Sequence, residues 1–337
     1  MGYRVAVVGA TGAVGDEMLK VLERRKFPVD RLTLLASPRS AGKKLRFLGE
    51  ELPVEPLGPR SLDGIELALF SAGASISREY APPAAKAGVL VVDNSSAFRM
   101  DPAIPLVVPE INPGAARGLK SGIIANPNCT TIVALMAIAP LHRAFGVTRF
   151  TAASYQAASG AGAKAMAELE DQARAWAAGH DVPAHAALPQ RLLFNVFPHI
   201  DVFLENGYTK EEMKMLNETR KILGDEAIRV SCTCVRVPVL RAHSVAIHLE
   251  TRDKATAAQA REVLAKAAGV IVEDEPAQKR YPMPWFVAGT DEVRVGRIRE
   301  DISCDRGLAL WAVGDQLLKG AALNAVQVAE VALGLTS

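Results

Sequence analysis

The chain has 337 residues, enough for two domains, and its 39 Lys and Arg residues against 37 Asp and Glu residues leave a net charge of +2. This balance gives no argument for nucleic acid or an anionic membrane as a partner. No apolar run approaches the length needed to cross a bilayer, and the first residues enter a strand pattern directly, so we expect a cytoplasmic protein with neither a signal peptide nor a membrane anchor.

A nucleotide-binding turn is predicted at the start of the chain. Residues 3–8 form an apolar run typical of a buried parallel strand, and they lead into the sequence GATGAVG. A helix with Met18, Leu19 and Leu22 on its apolar face follows. Strand, glycine turn and helix bring backbone N–H groups to a pyrophosphate, and although the spacing is GxxGxxG rather than GxGxxG, its position favours nucleotide binding over a chance glycine turn. The residues expected at the cofactor here are Gly9, Thr11, Gly12, Ala13 and Val14.

The loop after the second predicted strand indicates which cofactor is bound. This strand, residues 32–36, ends in Ser37-Pro38-Arg39-Ser40, where an NAD-specific site usually carries an acid for the ribose 2′-hydroxyl. No acid is present there. An arginine between two serines suits a 2′-phosphate, so the sequence predicts NADP in preference to NAD, with a solvated loop arginine as the alternative.

Two further predicted strands also end in small or polar residues. Residues 65–70 lead into a turn that contains Gly73, and residues 89–92 lead into a turn that contains Asn94. Loops at the carboxyl ends of parallel strands line the ligand crevice of an open α/β sheet, so we expect both residues near the cofactor. The βαβ rhythm continues to about residue 128, where a second domain is predicted to begin.

The segment NPNCTT, residues 126–131, presents a candidate nucleophile. Residues 121–125 form a short buried strand before it, and residues 132–141 form an apolar core helix after it. Asn128 is a favoured N-cap type, so Cys129 falls in the first helical turn, where unpaired N–H groups and the macrodipole favour the reactive thiolate. A buried cysteine that merely packs is the alternative, and the rest of the chain must supply an acid/base, an anion pocket and a cofactor.

The cysteine pattern argues against cross-links. The four cysteines, Cys129, Cys232, Cys234 and Cys304, include no CxxC spacing. Cys232 and Cys234 fall on one face of a predicted strand. We therefore expect neither disulfides nor a metal site.

Beyond residue 131 the sequence alternates strands, helices and one irregular stretch. Taken alone, Gln156 is an ordinary polar residue at the end of a strand. In order, the predicted elements are a strand (150–155), a glycine-rich turn (159–162), an amphipathic helix (163–178), an irregular interface or lid loop (180–197), a late strand (307–313) and a long C-terminal helix (315–333).

One predicted helix carries two adjacent acids with different expected roles. Thr209 and Glu212 have the spacing of a capping box, so the helix opens there and Glu212 is a capping partner. Glu211 lies three residues before Lys214 on one helix face. An ordinary ion pair on a solvated face is the structural interpretation of these two residues.

Among six histidines, His243 has the best independent claim to a role. It lies where an extended segment, residues 228–239, bends into another, residues 245–249, and hence at a strand end or turn. Its neutral form near pH 7 suits proton transfer. A surface or hydrogen-bonded structural histidine is the alternative.

Motifs along the whole chain resemble one enzyme family. They are GATGAVG, SAFRMD around Arg99, VVPEIN ending at Asn112, NPNCTT around Cys129, YQAASGAG (155–162), RVPVLRAHS (236–244) and DQLLKGAA (315–322). In this order they closely resemble the aspartate-semialdehyde dehydrogenase family. The resemblance implies an α/β fold, with a Rossmann-type NADP-binding domain joined to a glyceraldehyde-3-phosphate-dehydrogenase-like α+β catalytic and dimerisation domain. It places the first domain at 1–128, completed by a C-terminal helix at 315–337, and the second at 129–314.

The resemblance also implies the reaction. Members of this family interconvert L-aspartate-4-semialdehyde, phosphate and NADP with 4-aspartyl phosphate and NADPH, through a cysteine thioester. The product serves the biosynthesis of lysine and diaminopimelate, threonine, methionine and isoleucine. A homodimer or a dimer of dimers is implied.

Roles follow from the resemblance residue by residue. Cys129 corresponds to the nucleophile, His243 to the acid/base and Gln156 to the residue that positions the substrate near the sulfur. Arg236 corresponds to the clamp for the α-carboxylate, a task suited to the guanidinium fork, and Glu211 to the ligand of the amino group. The implied phosphate ligands are Arg99 and Lys214, and the remaining cofactor residues are Ser159, Gly160 and Gln316.

Three alternatives remain at this point. N-acetyl-glutamyl-phosphate reductase shares the chemistry and fold, but its nucleophile usually follows glycine, whereas Asn128 stands here. A phosphorylating dehydrogenase of the glyceraldehyde-3-phosphate type is a weaker alternative, because its motif order differs. A non-catalytic NADP-binding or redox-sensing protein with the same fold is the third.

Overall fold

The computed structural model describes residues 2–335, so Met1, Thr336 and Ser337, the ends of the predicted N-terminal domain and C-terminal helix, lie outside the described residues. The described chain divides into two compact units, which we call the N-terminal unit (2–128 with 321–335) and the central unit (129–320). In chain order the elements are β1 (Tyr3–Val8), α1 (Ala13–Arg24), β2 (Val29–Ala36), β3 (Lys44–Phe47), β4 (Glu50–Pro56), β5 (Leu67–Phe70), α2 (Ala74–Lys86), β6 (Leu90–Asp93), β7 (Gly122–Ala125), α3 (Cys129–Phe145), β8 (Val147–Gln156), α4 (Ala163–Ala177), α5 (Lys210–Leu223), β9 (Arg229–Arg236), β10 (His243–Thr251), α6 (Ala257–Ala265), β11 (Val270–Val272), α7 (Pro284–Val287), β12 (Val293–Glu300), β13 (Gly307–Gly314) and α8 (Leu323–Leu333).

The N-terminal unit is built on a seven-stranded sheet of order β3-β4-β2-β1-β5-β6-β7. All neighbouring pairs are parallel except β3 with β4. Every residue of β5 and β6 is buried, as expected for parallel strands covered on both faces. The sheet has the Rossmann-type arrangement that the glycine turn predicts, and the strand order changes direction between β1 and β5, where a ligand crevice is expected.

The central unit contains a mixed six-stranded sheet of order β11-β12-β13-β10-β8-β9. The apolar helix α3 packs against β8, β10, β12 and β13, and its middle turns are fully buried. Strands β8 and β9 are parallel and end at paired residues, Gln156 and Arg236. Strand β10 runs antiparallel to β8 and begins at His243. Three residues distant in sequence are therefore brought to one edge of the sheet.

The end of the chain corrects one prediction. A continuous helix from Asp315 to Leu333 was expected, but helical structure begins with a π-helical turn at Leu318–Ala322, and α8 follows. The Asp315 carboxylate accepts hydrogen bonds from the N–H groups of Leu317 (2.9 Å) and Leu318 (3.4 Å), so Asp315 lies in the turn between β13 and the π-helical turn and not inside a helix.

Other local predictions are confirmed. Helix α3 begins at Cys129, and Thr209 and Glu212 form a reciprocal capping box at the start of α5. The sequence did not reveal the β3–β4 hairpin, nor α2, which contains Pro82 and Pro83. Within the described residues, no helix combines the length and apolar character required to span a bilayer.

Candidate active site

The glycine turn of the N-terminal unit is a tight backbone structure. Gly9 has φ of +90°, and a Cβ at this position would lie 2.3 Å from the Ser71 carbonyl oxygen at the end of β5. A Cβ on Gly15 would lie 2.3 Å from the Gly9 carbonyl oxygen. Gly12 is the N-cap of α1 and offers no side-chain acceptor to the first turn, so backbone N–H groups there suit an anionic ligand.

The predicted 2′-phosphate residues lie immediately after β2. Ser37 precedes a short 3₁₀ turn at Pro38–Ser40, in which Arg39 is exposed. The Thr11 hydroxyl of the glycine turn donates to Ser40 Oγ (3.3 Å), so the two loops are joined directly.

Asn94 and Arg99 occupy the carboxyl end of β6. Both amide atoms of Asn94 are buried and have no hydrogen-bond partner among the described residues, which is unusual for a buried polar group. Arg99 is buried and donates through Nε to the Asn126 carbonyl (2.9 Å) and through Nη2 to the Asn94 carbonyl (2.7 Å). Its guanidinium is therefore fixed by two loops at the carboxyl end of the sheet. Gly73, the N-cap of α2, follows β5 with φ of +90°.

In the central unit, Cys129 is the first residue of α3. Its Sγ lies 4.0 Å from the Thr130 hydroxyl, and the first-turn N–H groups favour a thiolate. A Cβ on Gly320 would lie 2.9 Å from Cys129 Cβ, so the π-helical turn packs closely against the cysteine.

Gln156 is held at both ends of its amide. Its Nε2 donates to Glu211 Oε1 (3.2 Å), and its Oε1 accepts from the Ser154 hydroxyl (3.2 Å). All three residues are buried. These two hydrogen bonds fix the orientation of the Gln156 amide, with Nε2 towards Glu211 and Oε1 towards Ser154.

His243 is fully buried and adopts one tautomer. Its Nδ1 accepts a hydrogen bond from the Ala157 N–H (3.1 Å), so the ring proton of the neutral imidazole lies on Nε2. Burial lowers the pKa of His243 to about 3, and the nearby Arg236 guanidinium acts in the same direction. His243 Nε2 has no hydrogen-bond partner within residues 2–335. The ring therefore presents a buried, unsatisfied donor.

Arg236 provides a second such donor. Its Nη1 donates to the Ala157 carbonyl (2.6 Å), while its buried Nε lacks a partner in the described chain. Burial lowers the pKa of Arg236, and the Cys129 thiolate and the Glu211 carboxylate act in the opposite direction.

Gly160 leaves open the space beside the side chains that carry these two donors. A Cβ at Gly160 would lie 3.0 Å from Arg236 Nη1 and 3.0 Å from His243 Nε2, although Gly160 itself is exposed. Two predicted cofactor residues, Ser159 and Gln316, form a hydrogen bond with each other, in which Gln316 Nε2 donates to Ser159 Oγ. Gln316 Oε1 accepts a hydrogen bond from the N–H of Ala242 (2.8 Å). Ala242 immediately precedes His243 and has φ of +74°. Gln316 thus supports a strained backbone conformation that positions His243.

Glu211 and Lys214 form an ion pair of 2.8 Å, as their spacing predicts. The solvated-face alternative is wrong, because Glu211 is only 6% exposed and also binds Gln156. Lys214 makes a second ion pair with Asp201 (2.9 Å). Burial alone would lower the pKa of Lys214, but the two carboxylates outweigh it and the net effect raises this pKa, so the ammonium stays charged.

Sequence reasoning missed several supporting groups. Ala157 binds His243 and Arg236 through its backbone alone, so its side chain gives no signal. Ser154 lies two residues before Gln156, and the period of a strand would have placed both on one face. The fully buried Asp315 accepts from Arg241 Nε (2.6 Å) and so anchors the loop before His243.

Comparison with protein families separates the chain into two matching regions. Residues 4–119 match the semialdehyde dehydrogenase NAD binding domain, and residues 138–319 match the semialdehyde dehydrogenase dimerisation domain. Together these matches cover most of the chain.

Full-length relatives are also similar. The aspartate-semialdehyde dehydrogenase of Aquifex aeolicus is 56% identical over 333 residues, which are 98% of this chain and 98% of that one. The Bacillus subtilis enzyme of the same name is 48% identical over 98% of this chain and 97% of its own. Among solved structures, aspartate semialdehyde dehydrogenase II from Vibrio cholerae complexed with ASA is 45% identical over the whole of both chains, with a TM-score of 0.96.

Proposed function

Because the chain belongs to the aspartate-semialdehyde dehydrogenase family, we propose that it reduces L-4-aspartyl phosphate to L-aspartate-4-semialdehyde, reversibly and with NADP, through a thioester on Cys129. The product would enter the biosynthesis of lysine and diaminopimelate, threonine, methionine and isoleucine. The observation that carries the mechanism is the pair of buried, unpartnered donors, Arg236 Nε and His243 Nε2, on two side chains that both lie next to Gly160.

Cys129 supplies the nucleophile. In the direction of semialdehyde oxidation, the thiolate adds to the aldehyde carbon and forms a carbon–sulfur bond, while the carbonyl electron pair moves to oxygen. Loss of hydride from the adduct leaves an acyl thioester on Cys129. Attack by phosphate then forms the acyl phosphate and releases the thiolate.

His243 is proposed to stabilise the substrate oxygen as that oxygen becomes negatively charged. The tautomer fixed by Ala157 presents Nε2–H, which can donate to the developing oxyanion. A buried donor without a partner has no competing hydrogen bond to break before it binds this oxygen. The lowered pKa keeps the imidazole neutral across the ordinary pH range.

Arg236 and Glu211 are proposed to bind the amino-acid part of the substrate. A guanidinium suits the α-carboxylate, and the Glu211 carboxylate suits the α-ammonium. Gln156 joins Glu211 through a hydrogen bond of 3.2 Å, so substrate recognition is coupled to the amide that positions the reacting carbon.

Phosphate is proposed to bind Arg99 and, in the central unit, Lys214. Each is a charged group fixed in place by its own unit, Arg99 by two carbonyls and Lys214 by two carboxylates. Such fixed cations suit an oxyanion substrate.

The N-terminal unit is proposed to bind NADP. The glycine turn offers backbone N–H groups to the pyrophosphate, and Ser37, Arg39 and Ser40 offer positive charge and hydroxyls to a 2′-phosphate. The unpartnered Asn94 amide fits a polar ligand at the carboxyl end of β6. When bound, NADP supplies the hydride acceptor. Steady-state kinetics with both cofactors test this preference, which equal efficiency with NAD would contradict.

A homodimer is proposed to form through the sheet face that α3 does not cover. Tyr155 and Trp311 pack together on that face with ring centroids 5.3 Å apart, and Trp285 nearby is 87% exposed. Half-buried Ala246 pairs with both Ala153 and Trp311 at its centre. We expect Ala246→Glu to shift the protein to monomer in analytical ultracentrifugation, and a retained dimer would show that another surface is used.

One assay tests the proposed reaction against its alternatives. Phosphate-dependent NADPH formation is measured with aspartate semialdehyde, N-acetylglutamate semialdehyde and glyceraldehyde-3-phosphate. We expect turnover with the first substrate only. A folded protein that ignores aspartate semialdehyde would overturn the proposal, and activity on either of the others would identify the replacement.

A further inference from the structure

Lys214 lies between two carboxylates that come from different parts of the central unit. Its Nζ is 2.8 Å from Glu211 Oε2 and 2.9 Å from Asp201 Oδ2. One positive charge is thus shared by two negative charges. The ammonium has three N–H donors, and a phosphate oxygen that binds it must compete with both carboxylates for its positive charge.

The two carboxylates are not equivalent. Glu211 is buried in the first turn of α5 and also accepts from Gln156, so it is fixed within the site. The Asp201 side chain is 31% exposed and reaches Lys214 from the loop that precedes α5. Of the two, Asp201 is the partner that can leave without disturbing Gln156.

The Asp201 loop is ordered by its own contacts. Lys210 N–H donates to the Val202 carbonyl (2.8 Å), and Phe203 bridges to Thr209 across the base of the loop. Asp201 has φ of +67°, and its Oδ1 accepts from the Val202 N–H (2.9 Å). The loop therefore delivers the carboxylate to a defined place, leaving Oδ2 for Lys214.

The loop also begins next to Arg236, the residue proposed to bind the α-carboxylate of the substrate. Phe197 and Arg236 exchange backbone hydrogen bonds of 3.2 and 2.9 Å, so the segment from Phe197 to Asp201 starts beside β9 and ends at Lys214. Burial alone would raise the pKa of Asp201, but the hydrogen bonds from Lys214 and Val202 outweigh it and lower this pKa, so the carboxylate is ionised at neutral pH.

We propose that Asp201 sets the affinity for phosphate, because its carboxylate competes with a phosphate oxygen for the Lys214 ammonium. The proposal rests on the phosphate-binding role of Lys214 given above. Phosphate binding then exchanges one anion for another at Lys214, and the Asp201 carboxylate becomes hydrated. Removing the charge of Asp201 removes the competitor while leaving Glu211 in place.

Asp201→Asn is the direct test. Asparagine tolerates the left-handed backbone and its Oδ1 can still accept from Val202, so only the negative charge that faces Lys214 is lost. We expect KM for inorganic phosphate to fall about tenfold, and KM for aspartate semialdehyde to stay the same, because about 1.4 kcal/mol of competition corresponds to a factor of ten. Calorimetric titration with inorganic phosphate should show the same tenfold gain.

Asp253→Asn is the matched control. Asp253 forms an exposed ion pair of 3.0 Å with Arg252 in the same unit, so its removal changes the net charge equally without touching Lys214. We expect no change in phosphate KM for this variant. An equal fall in the KM for phosphate in both variants would mean that only the net charge of the protein matters, and it would overturn the proposal.

Two outcomes at Asp201 also overturn it. An unchanged phosphate KM means that Asp201 does not compete, and a raised one means that Asp201 instead orients Lys214 for phosphate. Lys214→Met separates these failures from a failure of the proposed function. If Lys214→Met leaves the KM for phosphate unchanged, Lys214 is not a phosphate ligand and the proposed function of this residue fails. If Lys214→Met raises the KM for phosphate but Asp201→Asn does not lower it, Lys214 is a phosphate ligand and only the proposed competition by Asp201 fails.

Discussion

The N-terminal and central units expose polar groups for their proposed ligands by different means. After β1 the chain uses backbone N–H groups in a turn where Gly9 and Gly15 allow no side chain. At the edge of the central sheet the donors are the side chains of Arg236 and His243, held by the backbone of Ala157. A backbone site depends on the space around each glycine, whereas a side-chain site depends on the topology that assembles it.

The largest expected effect lies in the central unit, at Cys129. Cys129→Ala removes the sulfur that is proposed to form the covalent bond, so turnover should vanish while NADP binding, which is proposed to depend on the glycine turn, remains. Initial rates and a fluorescence titration of NADPH measure the two properties on the same preparation. Substantial residual activity would remove the nucleophile assignment, and parallel loss of NADPH binding would end the separation of roles between the units.

Gly9→Ala tests the backbone site. The added methyl would meet the Ser71 carbonyl at 2.3 Å and would force alanine to φ of +90°, so we expect a loss of roughly 3–5 kcal/mol in the free energy of unfolding. Gly73→Ala is the matched control, since Gly73 has the same φ of +90° but open space around its Cα. It should lose about 1–2 kcal/mol. Equal losses in denaturant titrations would show that close packing at Gly9 contributes nothing.

This contrast also explains what the sequence could reveal. The glycine turn is local, so its residues, its strand and its helix can all be predicted from residues 3–24. Gln156, Arg236 and His243 are assembled by the pairing of β8 with β9 and β10, which no local pattern specifies. Their roles came from the family resemblance, and those roles stay predictions.

Some features were beyond any reading of residue types. The Ala157 backbone leaves no trace in side-chain chemistry, and the second partner of Lys214, Asp201, lies thirteen positions away in a loop without regular structure. The apolar residues of the C-terminal segment have helical periodicity, so the sequence predicts one continuous helix where the structure has a π-helical turn followed by α8. The buried Asp315 carboxylate accepts a hydrogen bond from the Leu317 N–H and so holds a turn at this point. The amino-acid composition of the segment does not reveal that turn.

Arg236→Leu should raise KM for aspartate semialdehyde by an amount corresponding to a lost charge-assisted pair. That is roughly 1.5–3 kcal/mol, or about 10- to 150-fold. The effect should fall on the amino-acid substrate, because the pyrophosphate and 2′-phosphate of NADP are proposed to bind the N-terminal unit. An unchanged KM would argue against the clamp, and a matching rise in KM for NADP would mean that the two sites do not act separately.

The smallest effect expected is a pH dependence of stability that belongs to the central unit. His243 has a pKa of about 3 in the folded chain, below the ordinary value of 6.5, so the unfolded state binds more protons as the pH falls below 6.5. Stability from the neutral, buried ring is therefore present above pH 6.5 and declines progressively towards pH 3. Between pH 7 and pH 5 the linkage amounts to about 2 kcal/mol.

The variant His243→Gln isolates this term, because it lacks the titrating ring while all other groups are kept. Denaturant titrations at pH 7 and pH 5 should show a loss for the unaltered protein about 2 kcal/mol greater than the loss for the variant. Hydrogen exchange adds the location: amide protection in β8 and β10 should fall more at pH 5 in the unaltered protein than in the variant, whereas β1 and β5 should respond alike in both. Equal pH dependence in the two proteins would mean that the His243 ring accepts a proton in the folded state, and with it that Ala157 N–H does not fix its tautomer.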